Sequence, residues 1–223
     1  MRNDRQATVG ARMILGLGTL SLLALLILRP LPKGDAAESA PSAPPSIRID
    51  KGSQLWLEGD STLHKYRLDA KGLDVRVGEA PSAGSGGLAA VAEQGAIKTL
   101  DVHVSVAKLT SGEGGPDDNM RKALSSEKYP EIRFQMDSYR ATPGVMSANL
   151  ALAIKGRLEI AGVEKPIELE AAATRVGSTL HVTGVKQLLI TDYGVKPPKF
   201  MLGMMSVSDP VAIHFDLTLE PNP

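Results

Sequence analysis

Residues 117–134, DDNMRKALSSEKYPEIRF, contain the change of local pattern that decides the fold. Met120, Ala123 and Leu124 recur at the spacing that places apolar side chains on one side of about two helical turns. The acidic start of the stretch offers residues that favour the N-cap and the first turn of a helix. The sequence therefore predicts a short helix near Asp117 to Ser126.

The residues that follow this helix predict a β-strand. Pro130 ends the helical pattern, because the residue before a proline is disfavoured in the helical region. Ile132, Phe134 and Met136 then alternate with polar residues, which gives a strand with one apolar face. A short helix that leads into such a strand suggests a lid or a plug at the end of a sheet.

The rest of the domain reads as a succession of strands with little helix between them. Eight segments have strand character: Gln54–Glu58, Leu63–Val77, Ile97–Ala107, the strand through Tyr139, Ala148–Ile160, Lys165–Arg175, Thr179–Ile190 and Asp209–Glu220. Closing an antiparallel sheet on itself removes exposed edges, so we predict an all-β fold, an eight-stranded antiparallel barrel. Such a barrel either fills its interior with side chains or holds one small ligand.

Gly59, Asp60 and Ser61 predict a turn between the first two strands, because these residue types favour turns. Residues 78–95 are rich in glycine, alanine and serine and are interpreted as a mobile insertion. The glycines of the insertion lack the ending and the strand-to-helix setting of a phosphate-binding loop. Nucleotide binding is therefore not expected there.

The N-terminal part of the chain predicts export. Met13 to Leu28 form an uncharged apolar run with arginines before and after it, so residues 1–30 are a signal peptide or a signal anchor. The basic residues after the run and the lack of a clean cleavage motif favour the anchor, which would attach the protein to the inner membrane. Residues 31–46 form an Ala-, Pro- and Ser-rich linker. The folded domain, residues 47–223, is then expected in the periplasm or another extracytoplasmic space.

Several functional classes find no support in the sequence. Formal net charge is zero and no basic block with interleaved aromatics exists, so nucleic-acid binding is not expected. The chain contains no cysteine, and its four histidines lack the spacing of a metal motif. No serine lies in a Gly-x-Ser-x-Gly elbow, and the carboxylates are scattered singly on polar faces. We therefore expect no cofactor and no enzyme, and the oligomeric state stays open.

Four segments of the chain resemble the YceI-like domain family, often described as lipid- or polyisoprenoid-binding. They are WLEG with STLH at 56–64, NMRKALSSEKYPEIRF at 119–134, GRLEIAGVEKP at 156–166, and TDYGVKPP at 191–198 leading into IHFDL at 213–217. The resemblance runs from about Ser53 to Glu220. It implies a lipocalin-like antiparallel barrel whose apolar lumen takes a long isoprenoid or fatty chain, usually in an exported protein.

Seven residues are candidates for lining or covering such a lumen: Trp56, His64, Asn119, Met120, Phe134, Phe200 and Met204. Methionine and aromatic side chains suit a flexible apolar guest, although ordinary packing explains each of them singly. His64 could be a polar anchor near the mouth, and Asn119 could meet a head group from the lid. The predicted function is to hold a quinone or polyprenyl chain. The alternative is a non-catalytic envelope stress or assembly factor with a packed barrel core.

Overall fold

The computed structural model describes residues 47–62, 64–78, 87–144, 149–197, 199–200 and 205–221. The predicted targeting segment, the linker and Met204 lie outside these residues, as does the side chain of Phe200. Within the described ranges, no helix combines the length and the apolar character that a membrane span requires.

The described chain is mostly β-structure with two short α-helices. The strands are β1 Ile47–Ile49, β2 Gln54–Ser61, β3 Lys65–Ala70, β4 Leu73–Gly78, β5 Thr99–Ser105, β6 Leu109–Thr110, β7 Glu131–Pro143, β8 Asn149–Ile160, β9 Val163–Val176, β10 Thr179–Leu189, β11 Lys199–Phe200 and β12 Met205–Pro221. The helices are α1 Gly87–Glu93 and α2 Gly114–Ala123, and 3-10 turns occupy Val106–Lys108 and Ile190–Tyr193.

All strands pair antiparallel, in the order β4-β5-β7-β8-β9-β10-β12-β2-β3-β6, with β1 and β11 also paired to β12. Strands β3 and β4 stand near opposite ends of this order, yet only Lys71 and Gly72 separate them in the chain. The sheet must therefore curl to bring its two ends together. The prediction of a mostly β, curled antiparallel architecture is confirmed.

The described residues contain twelve strands, where the sequence predicted eight. Lys71 and Gly72 divide the expected segment Leu63–Val77 into β3 and β4, and the short strands β1, β6 and β11 lie outside the expected segments. Residues 50–53 separate β1 from β2, although both pair with β12. A 3-10 turn separates β5 from β6. The turn predicted at Gly59 to Ser61 lies instead inside β2, which continues to Ser61 and keeps its pairing with β3 through Asp60. That prediction was wrong.

Helix α2 begins before the predicted start and ends at Ala123. Its N-cap is Glu113, whose side chain makes no capping hydrogen bond, so the acidic residues further along are not the cap. Asp117 lies inside the helix and is 3% exposed. Its carboxylate accepts hydrogen bonds from Thr110 and Ser111, in the segment before the helix, and so fixes α2 to the end of β6.

Helix α1 corrects the interpretation of residues 78–95 as a mobile insertion. Residues 79–86 lie outside the described part, but residues 87–93 form a helix with a buried face. Leu88, Val91 and Ala92 stand at the spacing of one helical face, and their exposed fractions are 2%, 5% and 1%. Docking this face onto the sheet stabilises a helix too short to persist alone.

The buried core divides into two clusters along the strands. Strand β8 contributes to both, because alternate residues from Leu150 to Ile160 are buried. Leu150, Leu152 and Ile154 pack with α1 in the first cluster. Leu158 and Ile160 belong to the second cluster, against which the end of α2 packs. The two helices therefore cover opposite ends of the curled sheet.

Candidate ligand-binding site

A cavity of about 670 Å³ lies inside the curled sheet. Its volume falls in the usual range of small-molecule sites, about 300 to 1,000 Å³. The inner faces of β2, β5, β7, β8, β10 and β12 supply most of its wall, and most of the lining side chains are apolar. The alternation of apolar and polar residues along each strand produces this wall, because one face of every strand points inward.

Several inward-pointing apolar side chains are only half-buried. They line the cavity on four neighbouring or facing strands: Leu55, Leu57, Val102, Phe134, Ile213, Phe215 and Leu217. In a barrel filled by its own side chains, such residues would pack against one another and lose their contact with open space. Their exposure within the wall identifies an interior with room for a guest.

Helix α1 closes one end of the cavity, where Ala92 reaches the lining. The Tyr139 hydroxyl donates a hydrogen bond of 2.9 Å to the Ala92 carbonyl oxygen. The same hydroxyl accepts a hydrogen bond of 3.3 Å from the Ile97 amide. Burial raises the pKa of Tyr139, so the hydroxyl keeps its proton and remains a donor. Tyr139 thus ties α1 and the segment after it to β7.

Helix α2 covers the other end, where Pro116, Met120 and Ala123 line the cavity. Asp117 holds the helix in place by accepting hydrogen bonds of 2.5 Å from Thr110 Oγ1, 2.8 Å from Ser111 N and 2.7 Å from Ser111 Oγ. Burial by itself would raise the pKa of this carboxyl. The hydrogen bonds from Thr110 and Ser111, with the charge of Arg121, outweigh burial and lower it.

Polar side chains reach the cavity mainly near the α2 end. His64 and Lys65 belong to the β2–β3 hairpin, and Glu113 lies just before α2. The Tyr66 ring covers Gly59 so closely that no Cβ would fit there, which places its hydroxyl against the inner face of β2. Burial, with a contribution from Asp60, raises the pKa of Tyr66 to about 12.

Three of the sequence-predicted site residues, His64, Met120 and Phe134, line the cavity. His64 is exposed at the hairpin, where its Nδ1 lies 2.8 Å from the Lys65 carbonyl oxygen. The half-buried Asn119 is not part of the lining, and its amide donates a hydrogen bond of 3.1 Å to the Gly115 carbonyl oxygen within α2. Its predicted contact with a head group from the lid stays a prediction.

Trp56 lies on the outer face of the sheet, which corrects the expectation that it lines the lumen. Its neighbours Leu55 and Leu57 point inward, so Trp56 must point outward. The ring stacks on His214 with centroids 5.0 Å apart and an interplanar angle of 7°. The Arg67 guanidinium lies 4.3 Å from the centroid of the Trp56 ring.

The histidines do not gather at one place. His103 lies 3.3 Å from a Glu131 oxygen, and His181 lies 2.5 Å from an Asp216 oxygen. His214 stacks on Trp56 on the outer face. Across the described ranges, no three His, Cys, Asp or Glu residues form a group that could hold a metal ion.

Tyr66, Tyr139 and Lys186 line the cavity but were not among the predicted site residues. Strand phase carries a signal for two of them, since Tyr66 lies on the same strand face as Leu68, and Lys186 lies on the same strand face as Leu188. The role of Tyr139 depends on its contact with α1, which strand phase does not reveal.

The YceI-like domain matches residues 66–219 of this chain, well over half of its length. The chain belongs to the YceI-like domain family. This confirms the resemblance found in the sequence. The comparison with curated proteins gives no match.

Solved structures share the fold of this YceI-like chain at low sequence identity. Burkholderia cenocepacia BcnA is 18% identical with a TM-score of 0.59, and the match covers 77% of this chain and 99% of BcnA. A polyisoprenoid binding domain from Saccharophagus degradans, implicated in plant cell wall breakdown, is 13% identical with a TM-score of 0.60, covering 79% and 99%. The Campylobacter jejuni YCEI protein is 18% identical with a TM-score of 0.50, covering 68% and 82%.

Proposed function

We propose that this protein binds an isoprenoid-like or other long-chain lipid in its cavity and that the lipid is a quinone or a polyprenyl chain. The observation that carries the proposal is the half-buried apolar wall around a cavity of about 670 Å³. The structural neighbour from Saccharophagus degradans is described as a polyisoprenoid binding domain, which supports the same ligand class.

The shape of the wall favours an elongated guest. Along β12, the inner-face residues from Val211 to Leu219 all line the cavity. At roughly 3.3 Å per residue, this wall extends about 26 Å along the strand. Each methylene group removed from water contributes about 0.8 kcal/mol, so a long chain gains affinity along the whole wall. An apolar lining of this kind supports binding rather than catalysis.

We interpret the curled sheet as an eight-stranded barrel of the lipocalin type. Strands β1 and β2 both pair with β12 and count as one barrel strand. Strands β3 and β4, separated by two residues, pair with β6 and β5 respectively. Strands β3 and β4 count as one barrel strand, and so do β5 and β6, which only a 3-10 turn separates. With β11 treated as a short accessory strand, eight barrel strands remain.

The test compares two tryptophan substitutions on β12 in the full-length protein. Leu217 lines the cavity, whereas Thr218 points to the outer face. We expect solvent extracts of the purified wild type and of Thr218→Trp to contain a chain lipid by mass spectrometry. Leu217→Trp should fill the lumen, lose the lipid and keep its thermal stability.

A packed core would give the opposite result. In that case Leu217→Trp would overpack the interior at a cost of about 1–3 kcal/mol, and no lipid would be extracted from or taken up by the wild type. That outcome would favour the assembly-factor alternative.

Export is the second part of the proposal, with residues 13–28 as the targeting segment and attachment to the inner membrane if the segment is retained. The intact mass of the protein recovered from fractionated cells tests both points. A full-length mass in the membrane fraction supports an anchor, and a shortened periplasmic form supports a cleaved signal. A full-length form in the cytoplasm contradicts export.

A further inference from the structure

Lys186 is a cation on an otherwise apolar part of the inner face. On β10, Leu180, Val182 and Leu188 share its strand phase, and all four line the cavity. Its register partner on β12 is Ile213, which also points into the cavity. The residue is half-buried, and its strand phase directs the side chain towards the cavity.

The described part of the chain gives Lys186 no hydrogen bond and no ion pair within 4.0 Å. The acid whose charge it influences is Glu168, on β9. The largest cause of the lowered pKa of Glu168 is a hydrogen bond from Lys155, whose Nζ lies 2.8 Å from the carboxylate. The charge of Lys186 is the smallest cause. A charge in an apolar setting is costly unless it is paired, so a ligand anion would compensate Lys186.

The surroundings of the α2 end favour a negative ligand group. Among the described lining residues, Lys65 and Lys186 are cationic and Glu113 is acidic. Arg67 also contributes to the lining, but its guanidinium pairs with Asp69 and lies over Trp56 on the outer face. Tyr66 remains protonated because burial raises its pKa to about 12, so its hydroxyl can donate to an oxygen atom. Beyond Lys186, towards α1, the wall becomes apolar.

We propose that Lys186 binds the head group of an acidic single-chain lipid and thereby sets both the selectivity and the direction of the bound ligand. The oxyanion, a phosphate or a carboxylate, lies between Lys186 and the α2 end, and the tail runs along β12 towards α1. This inference rests on the proposed lipid-binding function. Of the ligands proposed there, it favours a polyprenyl or other long chain with an acidic head over a neutral quinone, and it predicts a preference for an acidic lipid over its neutral counterpart.

The experiment measures the affinity of the full-length protein for geranylgeranyl phosphate and for geranylgeraniol, which share one tail. We expect the wild type to prefer the phosphate. Lys186→Met should weaken phosphate binding roughly 10- to 100-fold, the range for loss of a hydrogen bond to a charged group, and change alcohol binding less than about threefold. Lys186→Arg should retain most of the preference. Palmitate and hexadecanol, tested in parallel, distinguish a carboxylate from a phosphate as the favoured oxyanion.

Lys155→Met provides the matched control, because it removes the same charge beside Glu168 from an exposed position outside the cavity. It should leave both affinities within about threefold of the wild type. If the wild type binds phosphate and alcohol equally, or if Lys186→Met and Lys155→Met behave alike, the role of Lys186 is refuted while lipid binding stands. If the wild type binds none of the four lipids, both proposals are refuted. Circular dichroism of each variant verifies folding.

Discussion

Helix α1 buries three apolar side chains at one end of the cavity, whereas α2 presents the half-buried Met120 at the other end. A tyrosine hydroxyl on the neighbouring strand ties α1 to the sheet. A single buried carboxylate, Asp117, attaches α2 to the segment before it. The first helix is part of the hydrophobic core, and the second is a cover held by polar contacts.

This difference indicates where a ligand would pass. Removing α1 from the sheet would expose Leu88, Val91 and Ala92 to water, which opposes opening. Lifting α2 exposes less apolar surface, since most of its residues are glycine, polar or charged, and its Met120 is already half-buried. The polar lining groups of the β2–β3 hairpin also lie near α2. We therefore expect exchange at the α2 end and a permanent closure at α1.

The strongest test of this asymmetry is Leu88→Ala in α1. Leu88 is 2% exposed, so truncation should lower the free energy of unfolding by about 2–5 kcal/mol, as for other buried leucines. Urea denaturation measures the change. The control is Leu189→Ala on the outer side of β10, where the side chain is 42% exposed and the cost should stay below about 1 kcal/mol. Equal losses in the two variants would show that α1 is not part of the core.

The strand faces could be predicted from the sequence because side-chain alternation is a local property. The inward set of β12, from Val211 to Leu219, follows directly from its pattern. The same rule places Trp56 outward between Leu55 and Leu57, so its assignment to the lumen gave residue type more weight than strand phase. The same rule also places Lys186 on the inner face of β10, beside Leu188.

The two helices were harder to predict because tertiary contacts determine them. Helix α1 lies in a Gly-, Ala- and Ser-rich stretch, and its apolar face is stable only when it docks on the sheet. For α2, the acidic residues suggested a cap, but Asp117 forms its hydrogen bonds with Thr110 and Ser111 instead. A local pattern identifies neither partner.

Asp117→Asn tests the attachment of α2. The amide cannot reproduce all the hydrogen bonds accepted by the carboxylate, so the free energy of unfolding should fall by about 1–3 kcal/mol. Because the native pKa is lowered below the ordinary carboxyl value, the contribution of the carboxylate is present above about pH 3.9 and is lost as the pH falls through the native pKa. The difference in the free energy of unfolding between wild type and variant should therefore be large at neutral pH and shrink at acidic pH. Denaturant unfolding curves recorded at both pH values measure it.

Asp118→Asn is the matched control for this attachment. Asp118 is exposed and pairs with Arg121 at 2.8 Å on the helix surface. Its substitution should cost less than about 1 kcal/mol. Similar losses at neutral pH for the two asparagine variants would contradict the role of Asp117 as the attachment of α2.

Met120→Ala should have the smallest effect on stability and a measurable effect on ligand exchange. Met120 is half-buried over the cavity, so we expect truncation to cost less than about 1 kcal/mol, below the range for fully buried methionines. A bound lipid should nevertheless dissociate faster, because the cover loses a flexible apolar contact with it. Dissociation of a fluorescent lipid after dilution measures the rate. Lys122→Ala, on the exposed side of α2, is the control and should leave that rate unchanged. If the lipid dissociates faster from Leu88→Ala than from Met120→Ala, the exchange route lies at α1 instead.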